Sequence, residues 1–216
     1  MPNEIPKDLT IPLKRTTLRQ DVQDRVRSLL ISGKLKAGSN LVERQLGAQL
    51  GVSRTPLREA LLSLEAEGLL RVEPGRGFFV PEMSAKDARE IFSTIWTLES
   101  LAVERGRPRT LSGLEEANAR FRGSTSADAA LSADRAWHET LIRHCDCPRT
   151  AAILERLRAL AARYEYRLLA DDTAVANAAD QHDGILRVLR EGRYQAVGAS
   201  LKENWQRGLD WAIRNG

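Results

Sequence analysis

Asp134 and His138 close the run Asp-Arg-Ala-Trp-His. On a helix this spacing sets a carboxylate and an imidazole one turn apart on one face, where two side chains can share a metal ion. A plain hydrogen bond between a surface carboxylate and its neighbour has the same spacing, so the pair alone leaves both readings open. His182 lies in another predicted helix. The remaining histidine, His144, sits six residues beyond His138, about 240° around an ideal helix, and should point elsewhere. Glu139 adjoins the pair but is turned about 100° away from it.

A second group of residues speaks a different chemistry. In LVERQLGAQLGVSRTPLREALLSLEAEGLL, Leu57, Ala60, Leu61 and Leu64 recur at three- and four-residue steps and should pack inward. Arg54 and Arg58, one turn apart, are left on the opposite face, with Ser53 and Thr55 at the helix start. Backbone N–H groups and hydroxyls at a helix amino terminus take phosphate, and an arginine fork pairs with two acceptors on guanine. Arg44 on the preceding helix stands beside them. Gly75, Arg76 and Gly77 form the tip of a turn between two apolar runs, where glycine lets backbone approach a ligand closely. Any one of these arginines in isolation reads as a solvated side chain; the turn glycine, the inward leucines and the following hairpin together favour a DNA-reading element.

The elements that must carry these residues follow from periodicity. Residues 1–16 read as a flexible arm with a basic end. A helix is expected over Thr17–Ser32, with Leu18, Val22, Val26, Leu29 and Leu30 on one apolar face. Gly33 stops it, and a connector leads to a helix from Leu41 to Leu50. Gly51 forces a turn, Ser53 caps a helix running to Glu67, and Leu69–Val72 and Phe78–Val80 form a hairpin. Three helices and a hairpin in this order make a winged helix-turn-helix over 17–81. From Ser84, which with Asp87 resembles a capping box, the pattern is helical: 84–105, 110–121, 128–145, 149–170, 173–191 and 194–214. The chain is expected to be mostly α, a winged helix-turn-helix followed by an all-helical bundle of six to seven helices over 82–216.

Charge agrees with this division. Residues 1–80 hold 13 Lys and Arg against 9 Asp and Glu, whereas 81–216 hold 20 of each. The net charge of +4 therefore lies in the part expected to meet a polyanion. No apolar run approaches the roughly 18 to 20 residues of a membrane helix. The start of the sequence lacks the apolar core of a signal peptide, which implies a cytoplasmic address. Cys145 and Cys147 are read as reduced bystanders, since their spacing suits neither a structural disulfide nor a CxxC pair.

The run ISGKLKAGSNLVERQLGAQLGVSRTPLREALLSLEAEGLLRVEPGRGFFV resembles the DNA-binding domain of the GntR family of bacterial regulators, most specifically in GVSRTPLREAL. That resemblance implies DNA contacts from Arg44, Ser53, Arg54, Thr55, Arg58 and the wing residues Gly75, Arg76 and Gly77. The helical part resembles the ligand-sensing FCD domain of the FadR branch, with QHDGILRVLREGRY matching well. It implies a divalent metal held by Asp134, His138 and His182, with Asn204 where the family usually has histidine. An amide oxygen is a weaker, harder ligand than imidazole. Relatives also carry an arginine three or four residues before the Leu98-Glu99 pair, to hold an effector carboxylate; Ile95 and Trp96 stand there instead, leaving Arg163 and Arg167 as candidates.

The expected function is therefore a homodimeric, effector-responsive regulator of transcription, in this family usually a repressor, bound to an inverted-repeat operator in double-stranded DNA. The alternatives are a metal-dependent hydrolase built on Asp134, His138 and His182, and a DNA-binding protein that responds to no effector. A hydrolase needs an open coordination site and a nearby base.

Overall fold

A computed structural model describes residues 16–108 and 110–215. The arm expected over residues 1–16 falls outside them apart from Thr16, the first residue of α1. The first domain runs α1 (Thr16–Ile31), β1 (Asn40–Leu41), α2 (Glu43–Leu50), α3 (Arg54–Ala66), β2 (Arg71–Glu73) and β3 (Gly77–Phe79). Its three strands are antiparallel in the order β1-β3-β2, with Val72 opposite Phe78. The inward set on α3 is as periodicity requires: Leu57, Ala60, Leu61 and Leu64 are all fully buried, against Val22, Val26 and Leu30 of α1. Gly51 closes α2 at φ +66°, a left-handed conformation that only glycine adopts freely, and so turns the chain into α3.

Three details differ from expectation. Residues Asn40 and Leu41 form a strand on the wing rather than the start of α2, because Leu41 finds its burial against β3. The first wing strand begins at Arg71; Leu69 and Leu70 are instead core plugs, folded back so that both N–H groups bond to the Leu64 carbonyl. Leu18 is exposed, since α1 projects beyond the core at that end.

The second domain contains α4 (Ala85–Gly106), α5 (Ser112–Arg122), α6 (Ala127–Ile142), α7 (Pro148–Leu168), α8 (Asp172–Arg190) and α9 (Val197–Asn215), the last preceded by a 3₁₀ turn at Tyr194–Ala196. Helix α4 starts on the expected cap, with the Ser84 hydroxyl accepting from the Asp87 N–H at 3.0 Å. Cys145 and Cys147 are bonded to each other, contrary to the expectation of free thiols. The turn after α6 contracts the backbone until their Cα atoms are 5.2 Å apart, within the reach of a disulfide.

Helix α7 belongs to both domains. Its Ala159 and Leu160 pack into the core of the winged domain. The Arg156 guanidinium donates to the Ala66 carbonyl at the end of α3, and that of Arg163 to the Pro81 carbonyl at 2.9 Å, just after the wing.

The loop after α6 is pressed against Gly106, where an added Cβ would meet backbone atoms of His144 and Cys145 at 2.7 and 2.6 Å. Gly184 in α8 has open space around it. Gly106→Ala is expected to destabilise the fold by about 1–3 kcal/mol through overpacking. Gly184→Ala should stabilise by up to about 1 kcal/mol through helix propensity. Urea denaturation of both variants against wild type measures the pair; an unchanged midpoint for Gly106→Ala would mean that the loop yields freely.

Candidate functional site

On the winged domain, four of the eight residues nominated from sequence line one cleft, and Ser53, Thr55, Arg58 and Gly75 do not line it. Arg44 from α2, Arg54 at the start of α3, and Arg76 and Gly77 from the wing line one open cleft of about 720 Å³. Ser53 occupies the cap position of α3 without making a capping hydrogen bond. The Arg54 side chain is 80% exposed, and both Arg54 and Arg58 are tethered to a single carboxylate, Glu43, at 3.6 and 2.7 Å. Glu43 keeps the two guanidinium groups on one side of α3. Asn40 fixes the wing by donating to the Arg76 carbonyl at 2.8 Å, and Arg76 also pairs with Glu73. Glu43, Asn40 and Glu73 were not singled out from sequence; charged and amide residues that orient a neighbour carry no periodic signal.

In the helical domain, Asp134 and His138 on α6 meet His182 on α8. Their ligating atoms all lie within 4.8 Å of one another. The His138 Nε2 is 3.8 Å from one Asp134 oxygen and the His182 Nε2 3.5 Å from the other. The far nitrogen of each ring is held by a further residue. Asn118 uses its amide N–H groups on the Ala179 carbonyl and on Asp183, at 3.0 and 2.8 Å, so its oxygen faces His182 Nδ1 at 3.0 Å and accepts a hydrogen bond from it. Glu99 likewise receives His138 Nδ1 at 3.1 Å. Both rings therefore direct Nε2 toward Asp134. Burial, with His138 and Arg122 adding to it, holds the His182 pKa well below the usual histidine range, so its ring is neutral. Its Nε2 is fully buried and has no hydrogen-bond partner among the described residues. A buried nitrogen lone pair without a donor is a costly arrangement unless a cation fills it. Two imidazoles, each backed by an oxygen at its far nitrogen, and a carboxyl group fit a divalent metal.

Glu99 is the polar centre of this domain. It is wholly buried and accepts from Arg158 on α7, from Trp205 Nε1 on α9 at 2.7 Å, and from His138. Burial acts to raise its pKa, but His138 and Arg158 outweigh it and hold the carboxyl at about 2. Burial raises the Asp134 carboxyl instead, and raises Glu165, which Asp134 also opposes, well above the usual range.

Two cavities border the cluster. A small one of about 40 Å³ is walled by Asp134, His138, Glu165 and Asn204, whose amide donates to Gln181 at 3.3 Å. A larger one of about 210 Å³ is walled by Asp134, His138, Arg135, Arg158 and Glu165, and by Arg27 and Ile31 of α1. Arg163 and Arg167 line neither: Arg163 bonds to Pro81, and Arg167 lies over the Trp211 ring with its guanidinium carbon 5.4 Å from the centroid. The arginine that reaches the cluster is Arg158, whose Nε is buried without a hydrogen-bond partner among the described residues. Glu139 pairs with Arg135 at 2.8 Å and His144 is exposed, so neither joins the site.

Residues 18–80 match the bacterial regulatory proteins of the gntR family, and residues 91–207 match the FCD domain. This chain belongs to the GntR family.

Its relatives include the uncharacterized HTH-type transcriptional regulator YdhC of Bacillus subtilis (strain 168), 40% identical over 81 residues, 38% of this chain and 36% of that protein. The HTH-type transcriptional regulator McbR of Escherichia coli (strain K12) is 38% identical over 108 residues, covering 48% of this chain and 49% of McbR. The match thus spans half or less of these two relatives. The uncharacterized regulator BphR of Paraburkholderia xenovorans (strain LB400) is 30% identical over 204 residues, 80% of this chain and 82% of BphR. Among solved structures, E. coli McbR/YncC superposes with a TM-score of 0.75 at 23% identity, over 91% of this chain and 97% of that one. A GntR regulator from Rhodococcus sp. RHA1 does so with a TM-score of 0.75 at 22% identity, over 93% and 100%. At these identities the structures speak for the fold. With transcriptional regulators as its kin, the hydrolase alternative falls away.

The FCD domain's buried carboxylate yields a signed pH effect. A depressed pKa means that Glu99 stabilises the folded state above its unfolded pKa near 4.5, and that this contribution is lost as pH falls toward about 2. Glu99→Gln leaves Arg158 buried without its counter-charge and should cost about 3–5 kcal/mol at pH 7. Urea denaturation with EDTA present, at steps from pH 7 to pH 3, should show the gap from wild type constant above about 4.5 and closing below it. A gap independent of pH would remove the charge from the explanation.

Proposed function

We propose that this protein is a cytoplasmic, effector-responsive transcriptional regulator. It binds an inverted-repeat operator as a homodimer, acts as a repressor, and yields the operator when a small anionic metabolite enters the helical domain. A two-fold protein matches a two-fold operator, and the cleft joining Arg44, Arg54, Arg76 and Gly77 supports one winged domain on each half-site. Arg54 and Arg58 read base edges, Ser53 and Thr55 meet phosphate at the start of α3, and Gly75, Arg76 and Gly77 approach the backbone or minor groove.

The observation that carries the sensing half of this reading is the 210 Å³ cavity, because its wall is drawn from both domains. Asp134, His138 and Arg158 form one side and Arg27 and Ile31 of α1 the other. Asp134, His138 and His182 would hold a divalent cation, with Asn204 beside them; when bound, it supplies a Lewis-acidic anchor for ligand oxygens. Arg158 offers its buried Nε to a carboxylate, the part expected of Arg163 or Arg167. A ligand in such a cavity touches the winged domain directly, and binds more tightly to one placement of that domain than to another. That difference is what allostery requires. Helix α4 gives a second route, since it begins directly after the wing and the Ser84 carbonyl accepts from Tyr164 of α7 at 3.2 Å.

Selection of bound sequences from a random duplex library tests the DNA half. The expected product is a single inverted repeat, and failure to enrich any sequence would overturn it. On that operator, Arg54→Ala and Arg58→Ala should each cost about 1–3 kcal/mol in specific binding. Equal losses on unrelated DNA would make them phosphate contacts. For the sensing half, a thermal-shift screen of metabolite carboxylates should find one that raises the melting temperature and releases the operator. Ile31→Trp, which fills the cavity from the winged side, should abolish the release while sparing operator affinity without effector.

A further inference from the structure

We propose that Glu165 is a fourth protein ligand of the divalent cation held by Asp134, His138 and His182, in the role for which the Asn204 amide is poorly suited. The inference rests on reading that cluster as a metal site.

Glu165 on α7 and Asn204 on α9 border the same 40 Å³ cavity, together with Asp134 and His138. Glu165 borders the larger cavity as well, again beside Asp134 and His138. It therefore stands in the wall between the two, next to both α6 members of the cluster. Among the described residues, its half-buried carboxylate takes part in no hydrogen bond or ion pair. Glu99, the other nearby carboxylate, is committed to Arg158, Trp205 and His138. The site itself holds an unsatisfied donor atom, the buried Nε2 of His182.

Charge decides between Glu165 and Asn204. Two neutral imidazoles and Asp134 leave a divalent ion with a net charge of +1 in a buried place. An amide oxygen leaves that charge unchanged, whereas a second carboxylate cancels it. Burying a neutral assembly avoids the cost of burying a charged one. The Glu165 oxygens lie outside the group of atoms within 4.8 Å of one another. That side chain makes no hydrogen bond or ion pair among the described residues, and the proposal has it turn about its three rotatable bonds toward an ion beside Asp134. Two carboxylates and two imidazoles form a harder donor set than one carboxylate and three imidazoles, and suit Mn²⁺ better than a thiolate-seeking ion.

The test is binding of Mn²⁺ to the full-length protein, with free Mn²⁺ measured by electron paramagnetic resonance, and of Co²⁺, followed by its visible absorption. Glu165→Gln should weaken Mn²⁺ binding about 10-fold or more and alter the Co²⁺ bands, while Asn204→Ala changes affinity by less than about threefold. Removing a carboxylate that opposes Asp134 should leave the melting temperature in EDTA at or above wild type. The same variant should lose most of the rise that Mn²⁺ produces. Glu165→Asp, which keeps the charge on a shorter arm, should fall between the two, and it serves as the comparison if the glutamine variant folds poorly. Wild-type affinity in Glu165→Gln, with the loss found in Asn204→Ala instead, would overturn the assignment and leave the metal site standing. Absence of Mn²⁺ and Co²⁺ binding by wild type, or binding indifferent to His182→Ala, would overturn the metal site and the assignment together.

Discussion

The helical domain is organised around one buried charge. The Glu99 carboxylate on α4 gathers a guanidinium from α7, an imidazole from α6 and an indole N–H from α9, so four helices converge on two oxygen atoms. A carboxylate so far from water is tolerable only when its lone pairs are filled, and here three donors fill them. The arrangement holds in both directions. Arg158 would be an uncompensated buried cation without Glu99, and His138 would be free to choose its tautomer. Because Glu99 engages Nδ1, the His138 Nε2 faces Asp134, so a contact on α4 orients a side chain of α6. Asn118 performs the same service for His182 from α5. Trp137, stacked on the His182 ring at 3.7 Å, leaves that ring little room to turn.

Much of this architecture was legible in the sequence, and the division has a physical reason. Helices and their inward faces repeat along the chain, so Leu57, Ala60, Leu61 and Leu64 announced their burial, and the Asp134–His138 spacing announced a shared face. The residues that orient those side chains do not repeat. Glu99 and Asn118 look like ordinary polar positions on amphipathic helices, and only the packing of α4 and α5 against α6 and α8 turns them inward. The same holds for Arg158. Arg163 and Arg167 were candidates because Ile95 and Trp96 stand where relatives carry an arginine, yet they lie one to three turns beyond Arg158 on α7, and rotation about the helix carries them to Pro81 and Trp211. The strand at Asn40–Leu41 escaped notice because its pairing partners are 37 to 39 residues away, at Phe78 and Phe79. The bonded cysteines depend on a turn whose contraction no spacing rule encodes.

On the winged domain the controlling economy is one carboxylate shared by two arginines. Glu43 pairs with Arg54 and Arg58, both of which remain largely exposed, at 80% and 52% of the side chain. Exposed pairs of this kind stabilise a fold very little. Their effect is to narrow the range of directions the two guanidinium groups explore before DNA arrives. On the proposed reading, that would reduce the ordering cost of a base contact while leaving the donors free to exchange Glu43 for a nucleobase or phosphate.

Helix α7 joins these two halves of the molecule. Its first turns lean on the end of α3 through Arg156 and on the winged core through Ala159 and Leu160, its middle carries Arg158 into the polar centre, and its later turns hold the segment after the wing through Arg163. A helix packed on one side against the winged domain and on the other against the Asp134–His138–His182 cluster cannot shift for one without shifting for the other, since packed interiors do not deform continuously. The cavity beside it is closed by Arg27, which is also bound to Glu67 at the end of α3. Displacing Arg27 therefore disturbs the base of the recognition helix within one hydrogen bond. The path is short: the cavity wall and the end of α3 are joined by the single pair Arg27–Glu67.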